Sequence, residues 1–257
     1  MKQFTLLVVT VLILGAQATP DRSSRIINGH ASPLQPYNVY LLYLNANNAG
    51  FYGGGSIIST RHVLTAAQNI FGYIRWDIGM GSNIFSQLSA VTSTDATAHP
   101  SYNSANKAND IGIVTLPVAL VFSSTIQPIG LPPLTSTASP LPLENEQGFV
   151  VGFGFTNAAS TSQSATLVRS YPRVTANLRC QQFYAITLPL HFCAENNIEL
   201  SNICNGDLGA GFITDVRGTP TVTGIASLIS ASCGNTTPSG YTRVESYRQW
   251  IYSITLV

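Results

Sequence analysis

A glycine-rich turn pinned by a cysteine commonly presents a nucleophile, and the stretch CNGDLGAGF, Cys204 to Phe212, has that form. Its apex carries Leu208, a branched hydrocarbon with no lone pair to attack a carbonyl. Nucleophilic hydrolysis would also need a base to take the nucleophile's proton and a carboxylate to orient that base. His62, His99 and His191 are the obvious bases. His62 lies six residues before Gln68, and His99 opens the stretch HPSYN. The four cysteines, Cys180, Cys193, Cys204 and Cys233, lack the close C-x2-4-C spacing that zinc sites favour, so no metal and no cofactor is expected.

The elements that must position these residues are short. YNVYLLYLN, GGGSIIS, DIGIVTL, GFVVGFGF and TVTGIASLI are apolar or alternating runs separated by turn residues, the pattern of an all-β sandwich or barrel. VESYRQWIYSIT departs from it: Val244, Tyr247, Ile251 and Ile254 fall at three- and four-residue steps, the stripe of an amphipathic helix. LPPLTSTASPLPLENEQ has no periodicity and reads as a connection between two halves.

The first residues, MKQFTLLVVTVLILGAQATPDRSSR, place Lys2 before an apolar run and a small-residue site ending at Ala18, the form of a secretory signal peptide over residues 1–18. That run is too short to span a bilayer, which takes about 20 apolar residues. A secreted, extracellular protein is expected, in a compartment where the four cysteines form two disulfides; spacing alone leaves three pairings open. With residues 1–25 removed, 9 basic side chains face 10 acidic ones, a balance that gives no electrostatic case for nucleic acid or an anionic membrane. Only 9% of residues are charged, so the surface should be polar and nearly uncharged.

Nine motifs then fall in one order: RIINGH from Arg25, GGGSIIS from Gly53, VLTAAQN from Val63, HPSYN, NDIGIVTL from Asn109, TIQPIGLP, VVGFGFT, CNGDLGAG and SGYTRVESYRQWI. Together they resemble the chymotrypsin-like (trypsin-family) serine proteases over essentially all of residues 26–257. The resemblance implies an all-β fold of two antiparallel six-stranded β-barrels with a cleft between them and a C-terminal α-helix. It places the N-terminal barrel at about 26–132, the C-terminal barrel at about 145–240 and the helix at about 243–255. It also implies the pairings Cys180 with Cys193 and Cys204 with Cys233. A further bridge usual in the family would join the positions of Gly53 and Asn69; both cysteines are absent together. Losing such a bridge typically costs about 2–5 kcal/mol, and the sequence does not show what compensates.

The same resemblance sets the catalytic triad at Gln68, Asp110 and Leu208, where the family mechanism uses histidine, aspartate and serine. A carboxamide neither gains nor gives a proton near neutral pH, so Gln68 is no general base. Losing the nucleophile or base of such a triad alone lowers turnover by about 10⁶. The oxyanion hole would use the backbone N–H groups of Gly206 and Leu208, with the Leu208 side chain expected to fill the substrate carbonyl's place. The specificity pocket falls at Asn202, Ile229 and Ser239, with Ile229 expected to narrow the entrance.

Two further features are legible. Arg25-Ile26 keeps the form of an activation cleavage site after a pro-segment at 19–25, with Asp207 as the ion-pair partner of the freed Ile26 amine. Asn235 begins an N-glycosylation sequon beside Cys233. The expected function is a secreted, inactive protease homologue, a monomer that binds proteins or peptides, proteases or their substrates among them. Its rivals are an active peptidase using unrecognised groups and a structural protein with no specific partner.

Overall fold

The computed structural model describes residues 26, 28–135, 139–155, 162–185, 190–231, 233 and 236–257. The first sheet is built from β2 (Asn38–Leu44), β3 (Gly50–Ile57), β4 (His62–Thr65), β5 (Arg75–Met80), β6 (Ser89–Ser93), β7 (Asp95–Ala98) and β8 (Gly112–Thr115). The second takes β1 (His30–Ala31), β9 (Phe149–Gly152), β10 (Val168–Ser170), β11 (Arg173–Val174), β12 (His191–Glu195), β13 (Gly211–Val216), β14 (Thr219–Leu228) and β15 (Ser239–Arg243). All strand pairs are antiparallel.

Strand order shows that both sheets curl. In the first, β6-β5-β2-β3-β4-β8-β7, the end strands β6 and β7 are separated only by Thr94, so the sheet must bend back on itself. In the second, β1-β10-β9-β13-β14-β15-β12-β11, an isolated bridge between Gln147 and Arg173 joins the approach to β9 with β11 at the far end. The sheets hold seven and eight strands rather than six each, because the chain breaks at the β6–β7 corner and two-residue strands, β1 and β11, extend the second sheet.

Alternation decides the interiors. Val39, Leu41 and Tyr43 of β2 point inward with Ile57, Val63, Ile78 and Val114 to fill the first barrel. Phe192, Phe212 and Tyr241 pack ring on ring in the second, their centroids 5.1–5.3 Å apart. Another cluster joins residues of both barrels, Leu64, Ile113, Ile213, Val222 and Ile225 among them, with Val244, Tyr247 and Ile251. The C-terminal stripe thus faces the seam; the segment starts with a 3-10 turn at Val244–Tyr247 and continues as an α-helix, Arg248–Thr255. Its side chains also hold the connection between the barrels: Arg248 donates to the Pro132 carbonyl, Gln249 to that of Leu134, and Arg243 to those of Pro140 and Pro142. Glu245 accepts the Leu141 N–H.

The second barrel carries both disulfides, Cys180–Cys193 and Cys204–Cys233. A short helix at Asn177–Gln181, which no periodicity announced, carries Cys180. Among the described residues, no helix is long and apolar enough to cross a membrane.

Candidate functional site

Gln68 sits in a 3-10 turn, Ala67–Asn69, that begins once β4 ends and the chain passes through extended Ala66. Asp110 precedes β8 and follows Asn109, whose φ of 56° turns the chain so that the carboxylate faces inward. The carboxylate is fully buried. Its Oδ1 accepts the Gln68 backbone N–H at 2.8 Å, and its Oδ2 accepts Gln68 Nε2 and Ser227 Oγ, each at 2.6 Å. Gln68 Nε2 also donates to the Ser227 carbonyl at 2.9 Å, so both hydrogens of the amide are engaged. Ser227 reaches this point because β14 bulges there: Ala226 pairs with Tyr241 and Leu228 with Gly240, leaving Ser227 as the extra residue. Burial pushes the Asp110 carboxyl up to about 6, against the opposing pull of the Ser227 and Gln68 hydrogen bonds.

The glycine-rich loop packs against the same wall. The Leu208 carbonyl accepts the Gly54 N–H and Asn69 Nδ2, both at 2.8 Å. Asn69 Nδ2 also donates to Thr65 Oγ1 at 3.0 Å, and Thr65 Oγ1 donates to the Gly54 carbonyl. A Cβ at Gly53 would stand 2.5 Å from Asn69 Nδ2 and 2.8 Å from the Leu208 backbone carbonyl, so only glycine fits there. Within the loop, Asp207 N–H bonds to Cys204, Gly209 N–H to Ala226 and Ala210 N–H to Asp207. The N–H groups of Gly206, at φ 89°, and of Leu208 have no acceptor among the described residues.

Two barrels, a buried carboxylate under a 3-10 turn and a glycine loop opposite it coincide with one family profile, the trypsin profile, which matches residues 26–251. The chain belongs to the trypsin family. It is 31% identical over 241 residues to a chymotrypsin of Phaedon cochleariae, covering 91% of this chain and 84% of that one. It is 28% identical over 236 residues to a collagenase of Hypoderma lineatum, covering 90% and 87%. A solved structure described as HL collagenase superimposes with a TM-score of 0.78 at 27% identity, covering 90% of this chain and 99% of that one.

The other positions that trypsin-family resemblance singles out are placed as follows. Asn202 is buried; its Nδ2 donates to the Thr237 carbonyl, while its Oδ1 accepts the Ile203 N–H and the Ser239 hydroxyl. Asn202 and Ser239 therefore bond to each other, and Ile229 packs against the second-barrel core. Ile26 is fully buried, with its carbonyl accepting the Gly29 N–H. Asp207, also fully buried, accepts the Gly154 N–H at 2.9 Å and the Cys204 N–H at 3.0 Å, and burial raises its carboxyl to about 7. Arg25 and Asn235 lie outside the described residues.

The histidines have other partners. His62 Nδ1 bonds Ser59 Oγ, His99 packs between the Tyr247 and Trp250 rings, and His191 is buried with Nε2 against the Lys107 carbonyl. Sequence reading missed three participants: Ser227, Asn69 as a polar clamp, and Thr242, whose Oγ1 donates to the Asp110 carbonyl. A serine inside the apolar run TGIASLI was the one local signal for Ser227. For Asn69 the signal was its pairing with Gly53 in place of two cysteines.

Proposed function

We propose that this member of the trypsin family is a secreted protein that does not hydrolyse peptides and acts by binding proteins or peptides at its cleft, as decoy, competitor or cofactor in a proteolytic pathway. The observation carrying this reading is the Gln68 amide, which gives one hydrogen to Asp110 and the other to Ser227. It occupies the place of a general base with a group that takes no proton near neutral pH. Leu208 supplies no hydroxyl. The remaining network keeps Asp110 satisfied: a buried carboxylate stripped of its donors costs more than the net worth of the bonds.

The test is hydrolysis of a broad fluorogenic peptide library by the protein cleaved after Arg25, beside a Gln68→His, Leu208→Ser double variant. Silence from the natural protein is the expected result; a double variant that cuts would add that the cleft is otherwise intact. The competing reading, an active endopeptidase like the chymotrypsin and collagenase it is similar to, requires turnover that follows the natural protein through purification.

A further inference from the structure

Two asparagines in the chain are followed by glycine, Asn28 and Asn205. Glycine lacks the Cβ that would hinder its own nitrogen from closing on the preceding side chain. The surroundings of the two pairs differ. Asn28 Nδ2 donates to the Leu200 carbonyl at 3.1 Å, and the Gly29 N–H donates to the Ile26 carbonyl at 2.7 Å, with Gly29 buried. Both the carboxamide and the nitrogen that would attack it are tied down.

At the second pair neither is. Asn205 is exposed, and its side chain makes no hydrogen bond among the described residues. The Gly206 N–H likewise has no acceptor there. Among the described residues, only the Asn205 carbonyl of this pair is held, by the Phe155 N–H at 2.7 Å. That bond anchors the backbone on one side, and no hydrogen bond among the described residues holds the side chain or the next nitrogen.

We infer that Asn205 is a site of spontaneous deamidation, formed by the Asn205-Gly206 pair on the glycine-rich loop. The Gly206 nitrogen loses its proton and bonds to the Asn205 side-chain carbonyl carbon, and the carboxamide nitrogen leaves as ammonia, giving a five-membered succinimide. Water then adds to either ring carbonyl and opens the ring, to aspartate or to isoaspartate. No oxidation or reduction occurs. The product carries a new carboxylate on the residue directly before Gly206, and in the isoaspartyl form the main chain gains a methylene just before Gly206. The chemistry stands apart from the binding function proposed above; only an effect on ligand capture would rest on it.

The test incubates the folded full-length protein in mildly alkaline buffer beside the same protein in denaturant. Peptide mapping by mass spectrometry and labelling by an isoaspartate methyltransferase follow both asparagines. The expected result is conversion at Asn205 with Asn28 intact in the folded sample, conversion at both in the unfolded one, and none at position 205 in Asn205→Gln. Asn205 remaining intact in the folded protein while the unfolded chain converts would overturn the inference. So would equal conversion of Asn28 and Asn205 in the folded state, since the sequence alone would then account for it. Neither result depends on hydrolysis, so this inference and the proposed function fail separately.

Discussion

Asn69 fills the space that a side chain at Gly53 would need: its amide nitrogen lies 2.5 Å from the position of a Gly53 Cβ and 2.8 Å from the Leu208 carbonyl. Where the trypsin-family resemblance implies a disulfide, this chain has a hydrogen-bonded clamp between the turn carrying Gln68 and the glycine loop. Asn69→Ala should lower stability by about 1–3 kcal/mol, measured by urea denaturation. Gly53→Ala should cost more in the natural chain than in an Asn69→Ala background, where the amide is gone and only the Leu208 carbonyl, 2.8 Å from the Cβ position, still obstructs. Equal costs in both backgrounds would show that the two positions are not coupled.

In the uncleaved protein Asp207 and Asp110 should make stability rise as pH falls from about 7 towards 4. His62 and His99, whose burial lowers their pKa, make a smaller, opposite contribution. Burial raises Asp207 to about 7 and Asp110 to about 6, against an ordinary value of 3.8. Between those values the folded state keeps protons that the unfolded state releases, so acidification favours folding until both states are protonated. The expected gain is on the order of a few kcal/mol, read as a higher melting temperature at pH 5 than at pH 8. Asp207→Asn should flatten the profile.

Ser227→Ala removes one of the two donors to Asp110 Oδ2. At pH 7 the loss should be about 1–3 kcal/mol, and it should shrink at pH 5, where the carboxyl is mostly protonated. Denaturation curves at the two pH values separate this from a uniform packing defect.

Leu208→Ser alone should remain without measurable amidolysis, because Gln68 cannot accept the hydroxyl proton. Loss of a base in such a triad costs about 10⁶ in turnover. Activity from this single variant would point to a base other than residue 68.

Alternation, as in β2, shows an all-β sandwich or barrel, and the stripe Val244, Tyr247, Ile251 shows the final helix. These are local periodicities, and local order preserves them. That there are two barrels is implied only by the family resemblance. The Gln68–Asp110 contact followed only from motif order, since 42 residues separate the two. Ser227 was not legible because its role depends on a bulge in β14, set by pairing with β15 rather than by its own neighbours. In the sequence Asn69 marks only an absent cysteine; that its amide spans to Leu208, 139 residues away, is a property of the folded wall.

The core cluster at the seam bears on how the molecule comes apart. Leu64 and Ile113 of the first barrel share it with Ile213, Val222 and Ile225 of the second, and the last segment of the chain closes it with Val244, Tyr247 and Ile251. The barrels share this cluster in addition to their own cores, so a single cooperative melting transition is the expected outcome of calorimetry. Deleting the C-terminal helix would therefore lower the melting point of the N-terminal barrel, the half of the sequence from which that helix is most distant.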